Sequence, residues 1–167
     1  MDIDEKDGTV TLSNGLVIRP DLTRGEFEAV STGGSASGSP PWSHHRIAGD
    51  VADGREILAS VCFHGELLVS VDLCAGLYPA GQVGWEHYSD EIEAATKDFH
   101  DHLLEHLFSK HLTAKTFEAP GELSRDPALL KRTVEWKFAW GSVVSHHDPR
   151  SSTTSITVLY GNRLAEA

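Results

Sequence analysis

The stretch His102-Leu103-Leu104-Glu105-His106 has the most chemically suggestive spacing in the chain, because it matches the H-x-x-E-H pattern of inverted zinc peptidases. On a helix, His102 and His106 lie one turn apart and could chelate a metal from one face. A catalytic zinc also needs a third protein ligand and an open position. Glu135 could serve as that ligand, although nothing in the spacing selects it. Helical projection puts His106 within an apolar stripe and His102 at its edge, where histidines pack at a boundary. Peptidases of that class are also much larger than this chain. The pattern therefore favours a structural role for both histidines, with a small metal-dependent hydrolase on His102 and His106 as an alternative.

The chain has 10 histidines, and two pairs are adjacent: His44-His45 and His146-His147. Such clusters can sense pH or bind metal, but on a strand only one member of each pair faces a given site. Carboxylates are spread everywhere, and no pair stands alone in the apolar setting that would mark a raised pKa. There is no P-loop, no G-x-G-x-x-G and no Cys-x-x-Cys, and no cofactor is implied. Gly34-Ser35-Ala36-Ser37-Gly38 has alanine where a nucleophile elbow needs serine, and it lacks the flanking strand and helix, which excludes that serine hydrolase arrangement.

These groups must be positioned by a fold of modest size. At 167 residues the chain is long enough to bury a core without disulfides or metal, and a single domain spanning 1-167 is expected. Fourteen Lys plus Arg against 25 Asp plus Glu give a net charge of -11, which disfavours nucleic acid and anionic membranes and favours a basic partner. The acidic start MDIDEKDG has no apolar signal-peptide core and no run reaches membrane-spanning length, so a cytoplasmic protein is expected.

Ile57 to Leu73 reads as two strands folded back at His64-Gly65-Glu66, with Val61 opposite Val69 and Ala59 opposite Val71. That register sets Cys62 and Cys74 about 20 Å apart, too far for a disulfide, and both are expected as free thiols. A loop at Ala52-Asp53-Gly54 adds a strand from Arg46 to Val51, pairing Val51 with Arg55, Ile47 with Ala59 and His45 with Val61. An earlier hairpin runs from Val10 to Ile18 around Ser13-Asn14-Gly15. Thr23 and Glu26 form a capping box for a short helix to about Val30, with Leu22 stapled onto Phe27. Residues 31-41 are rich in Gly, Ser and Pro and read as a flexible surface loop.

Ser89 is a good N-cap for a helix from Ile92 to Leu112, whose stripe of Ile92, Ala95, Phe99, Leu103 and Leu107 suits it to cover the meander. Its opposite face carries Glu91, Asp98, Asp101 and Glu105. Val134, Trp136, Phe138 and Trp140 alternate as a half-buried strand that continues past Gly141, turns near Asp148-Pro149 and returns as Ser155 to Tyr160. The expected architecture is α+β: an antiparallel sheet of about six to seven strands covered on one face by a long amphipathic helix, plus a short N-terminal helix.

Leu12-Ser13-Asn14-Gly15-Leu16 followed by Pro20, Thr23 and Phe27, then Trp140-Gly141, Asp148-Pro149 and Ile156 to Tyr160, carry a resemblance that spans most of the chain. The sequence resembles the small acidic immunity-type proteins encoded beside bacterial polymorphic and contact-dependent toxins. The resemblance implies a cytosolic protein that binds one cognate toxin, blocks its active site or substrate groove, and has no catalysis of its own. It transfers no functional residue. From the residues themselves, Glu91, Glu93, Asp98, Asp101 and Glu105 are candidate contacts for a basic toxin surface, and Trp140 is a candidate aromatic anchor. A secretion-effector chaperone, dimeric and holding an effector segment extended, shares the acidity and architecture and is the other binding hypothesis.

Overall fold

The computed structural model describes residues 1–31, 36–52, 55–77, 88–108 and 122–161. Strands β1 (Asp2–Ile3), β2 (Val10–Thr11) and β3 (Val17–Ile18) form a small sheet, and helix α1 (Arg24–Val30) follows. Seven further strands are β4 (Ala36–Ser37), β5 (Trp42–Ala52), β6 (Arg55–His64), β7 (Leu67–Ala75), β8 (Val134–Phe138), β9 (Gly141–Asp148) and β10 (Thr153–Leu159). They make one antiparallel sheet in the order β4-β5-β6-β7-β10-β9-β8. Helix α2 (Asp90–Phe108) and a short 3-10 helix (Pro127–Lys131) complete the α+β fold.

The central hairpin turns on two residues, Gly65 and Glu66, where three were expected: His64 pairs with Leu67 and Phe63 with Leu68. Gly65 has φ +60, which suits the first central position of a type II′ turn. The mixed faces that this loop would create are repaired by a bulge. Past it, Cys62 pairs with Ser70, Val61 with Val71 and Ala59 with Leu73, so the apolar residues share one side again. Val69 is the extra residue, and its carbonyl accepts from Tyr160 N–H on the neighbouring chain segment at 3.1 Å. The short turn also sets Glu66 against α1, where its Oε2 accepts from Gly25 N–H at 3.0 Å and its Oε1 from Arg24 Nη2 at 2.8 Å. The expected capping box of Thr23 and Glu26 is present at that same helix end.

A second irregularity between Ile47 and Asp50 does the same for β5: Val51 pairs with Glu56 instead of Arg55, yet Ile47 still faces Ala59 and His45 faces Val61. One row consequently crosses all seven strands as Ala36, His45, Val61, Val71, Val158, Val143 and Trp136. The inner face of this sheet, β1 to β3, α1 and α2 contribute to one apolar cluster that includes Val10, Phe27, Val61, Phe99 and Val158. The Val10 to Ile18 hairpin has the expected register and positive-φ Gly15.

Three other expectations are revised. Helix α2 packs mainly across β9, β10 and the 3-10 helix instead of over the meander, while Phe27 of α1 packs on His45 and Phe63 toward the hairpin end. Residues 109–112 lie outside the described residues. The stretch 31-41, read as loop throughout, contains edge strand β4 paired with His44 and His45; residues 32–35 also lie outside those described. The strand expected to run on through Trp140 instead turns at Ala139-Trp140, with Phe138 opposite Gly141. Cys62 and Cys74 are free, and burial pushes both thiols up to about 11, which keeps them protonated at neutral pH. Among the described residues no helix is long and apolar enough to cross a membrane.

Trp140 closes the far end of the fold. Its ring stacks on Phe138 at 5.0 Å, its Nε1–H donates to the Glu5 carbonyl at 2.9 Å, and Tyr160 Oη donates to the Gly8 carbonyl at 3.0 Å. Gly8 has φ +80, and a Cβ there would lie 2.6 Å from the Trp140 ring. Gly8→Ala should therefore lose about 1–3 kcal/mol in urea denaturation by strain and overpacking. An unchanged midpoint would mean that the N-terminal loop is not held against Trp140.

Candidate partner-binding surface

The acidic residues expected on one outer face of α2 divide into two groups. Glu91 and Glu105 are exposed. Asp101 is 2% exposed and sits between two cations: its Oδ1 accepts from Lys97 Nζ and its Oδ2 from Arg132 Nη2, each at 2.5 Å. Lys97 is fully buried, and burial lowers its pKa while Asp101 opposes the shift. Asp98 is also buried and accepts from the Ser124 backbone N–H at 2.7 Å. The segment around Ser124 to Arg132 lies over this side of the helix, which is why Asp98 and Asp101 are interior. Glu93 is buried near His147, with Oε2 to Nδ1 at 4.0 Å. Trp140 is half-buried in the closure described above. Of the six residues singled out from the sequence, Glu91 and Glu105 are exposed on the outside of the fold.

The two histidines of the zinc-like pattern are also placed. His102 donates Nδ1–H to the Asp98 carbonyl at 2.8 Å, and His106 is half-buried. Glu135 follows and precedes inward-facing Val134 and Trp136, so it projects from the sheet face opposite α2. It is not brought toward His102 and His106. Among the described residues no three His, Cys, Asp or Glu side chains are grouped to hold a metal ion.

His100, unremarked in the sequence, is fully buried and accepts the Ala75 N–H at Nε2, 3.0 Å away. Burial pushes its pKa down to about 3 from 6.5; Lys97 and His146 reinforce the shift and Asp101 opposes it. The unfolded chain takes up this proton near pH 6.5 and the folded chain does not. The associated stability is complete above about pH 6.5 and is lost toward pH 3, at up to about 1.4 kcal/mol per unit. Urea midpoints should fall between pH 7 and pH 5, and less steeply in H100Q. Equal slopes in the two proteins would assign the acid sensitivity to other groups.

The outer face of the seven-stranded sheet has no helix or strand packed on it among the described residues. Leu58 is 57% exposed there, Leu159 39% and Trp42 40%, while His44, Arg46 and Glu56 are also exposed. The floor between them mixes small polar with apolar side chains; Cys62, Ser70 and Thr157 in it are buried and Asp72 is half-buried. Ser60, Asp72, Thr157 and Val144 lie in one cross-strand row, and Cys62, Ser70, Leu159 and Ser142 in the next. Thr157 Oγ1 donates to Asp72 Oδ1 at 2.7 Å, and Ser70 Oγ donates to Oδ2 at 3.3 Å. With its proton on Asp72, the Thr157 hydroxyl accepts, so His146, at 3.2 Å, offers Nε2–H. At one end Trp42 packs edge-on against His64 at 4.8 Å. Sequence reasoning passed over Asp72 and Trp42; the alternation of Asp72 with Val71 and Leu73 was the available signal that it faces outward.

No protein-family model matches the chain, and no curated protein matches it. One chain of the solved complex described as "Rhs1-CT in complex with cognate immunity protein RhsI1" has a similar fold, with a TM-score of 0.51. The match covers 97% of this chain and 88% of that one at 14% identity, a likeness of fold alone.

Proposed function

We propose that this chain is a cytoplasmic bacterial immunity protein that binds one cognate toxin and neutralises it by protein–protein contact, without catalysis of its own. The observation that carries the reading is the fold likeness to a chain of a toxin–immunity complex, over nearly the whole length of this one. The net charge of -11 supports a partner with a basic surface, since charge complementarity raises association rates and selects partners. In this reading Glu91 and Glu105 steer the toxin in from a distance. Glu93, Asp98 and Asp101 contribute from inside the fold by holding α2 in place, and Trp140 does so by holding the N-terminal loop.

The test is protection. Cells producing the toxin domain encoded beside this gene should survive when this chain is co-expressed and die when it is absent. Equal killing in both strains, with the chain present and folded, would refute the proposal.

A further inference from the structure

Resting on the immunity reading, the open outer face of the seven-stranded sheet can be given a specific role. We infer that this face is the docking surface, with Asp72 receiving a Lys or Arg side chain of the toxin and Trp42 packing against the toxin surface beside it. Asp72 lies near the centre of a floor made largely of uncharged side chains. Its side-chain partners are the hydroxyls of Thr157 and Ser70, and no Lys or Arg pairs with it among the described residues. Two hydroxyl donors leave a carboxylate with acceptor capacity and hold it in one orientation, which suits it to a guanidinium or ammonium group.

Asp101 makes the contrast, because it already holds two cations of its own. Arg46 shares the row of Asp72 two strands away, about 10 Å between backbones at the usual strand spacing. The charge of the whole chain favours approach of the same kind of group. Trp42 adds an exposed aromatic to the same face, a residue type enriched at the energetic centres of interfaces.

The experiment measures binding of the full chain to the purified toxin domain encoded beside its gene. Asp72→Asn keeps the shape and still accepts from Thr157 at Oδ1, while its Nδ2 can donate to Ser70 Oγ, so it removes the charge and reverses the weaker of the two hydrogen bonds. It should weaken binding by about 30-fold or more and reduce its salt dependence, with most of the change in the off-rate. Glu105→Lys, on α2 and therefore on the opposite side of the sheet from Asp72, should leave the off-rate at its wild-type value. L58R adds a cation to a 57% exposed position on the same face and decides the matter if D72N alters folding; it should weaken binding by about 10-fold or more.

Wild-type affinity in folded D72N and L58R would overturn this inference while leaving the immunity proposal intact. Failure of the wild-type chain to bind the toxin would overturn both.

Discussion

Asp101→Ala should destabilise the protein by about 3–5 kcal/mol, a large share of the roughly 5–15 kcal/mol that holds a domain folded. Asp101 is the acceptor for both Lys97 and Arg132, and Lys97 is fully buried. Removing the carboxylate leaves an ammonium group in the interior with its main partner gone, and that desolvation is what the variant must bear. It also releases Arg132, which with the Ser124–Asp98 hydrogen bond ties α2 to the segment before β8. Lys97→Met is the informative companion: it removes the buried charge, keeps Asp101 paired with Arg132, and should lose much less. Glu105→Lys, at an exposed position on the same helix, should stay within about 0.5 kcal/mol of wild type. Thermal or urea unfolding of the three variants checks the order. Equal small effects would mean that Lys97 reaches water.

Val61→Asp should abolish cooperative folding, because the side chain is fully buried in the row that crosses all seven strands. A carboxylate there has His45 and Val71 as its cross-strand neighbours, neither a Lys nor an Arg, a loss above about 4–5 kcal/mol. Val69→Asp should be milder. Val69 is the bulged residue, half-buried and outside the paired register, and its contribution to β10 comes through its backbone carbonyl. Circular dichroism and denaturant titration of the two proteins should show one unfolded and one destabilised. Similar behaviour would argue for the simpler register in which Val61 and Val69 are partners.

Much of the fold was legible in the sequence because its signals are local. Asn14-Gly15, the Thr23 to Glu26 capping box and the stripe on α2 each depend on a few neighbouring residues. The α+β class, the long antiparallel sheet and the short N-terminal helix followed from them. What was not legible depends on partners far along the chain. The two-residue turn at Gly65-Glu66 needs the bulge at Val69 to be compatible with its apolar pattern, and a period-two reading has no way to represent that insertion. Asp98 and Asp101 look like an outer helix face until Ser124 and Arg132, 26 and 31 residues away, close over them. Trp140 reads as an exposed anchor until Glu5 and Gly8 arrive from the N-terminus. Asp72 and Trp42 were passed over because alternation along a strand shows which side chains face outward but not which face other elements leave uncovered.

The proposal stands or falls most directly on titration of the purified chain with the toxin domain encoded beside its gene, followed by calorimetry at two salt concentrations. A saturable complex with Kd of about 10 nM or tighter, weakened by added salt and accompanied by loss of toxin activity, is the expected result. A folded chain that gives no heat and no complex with the active toxin at micromolar concentrations would contradict it.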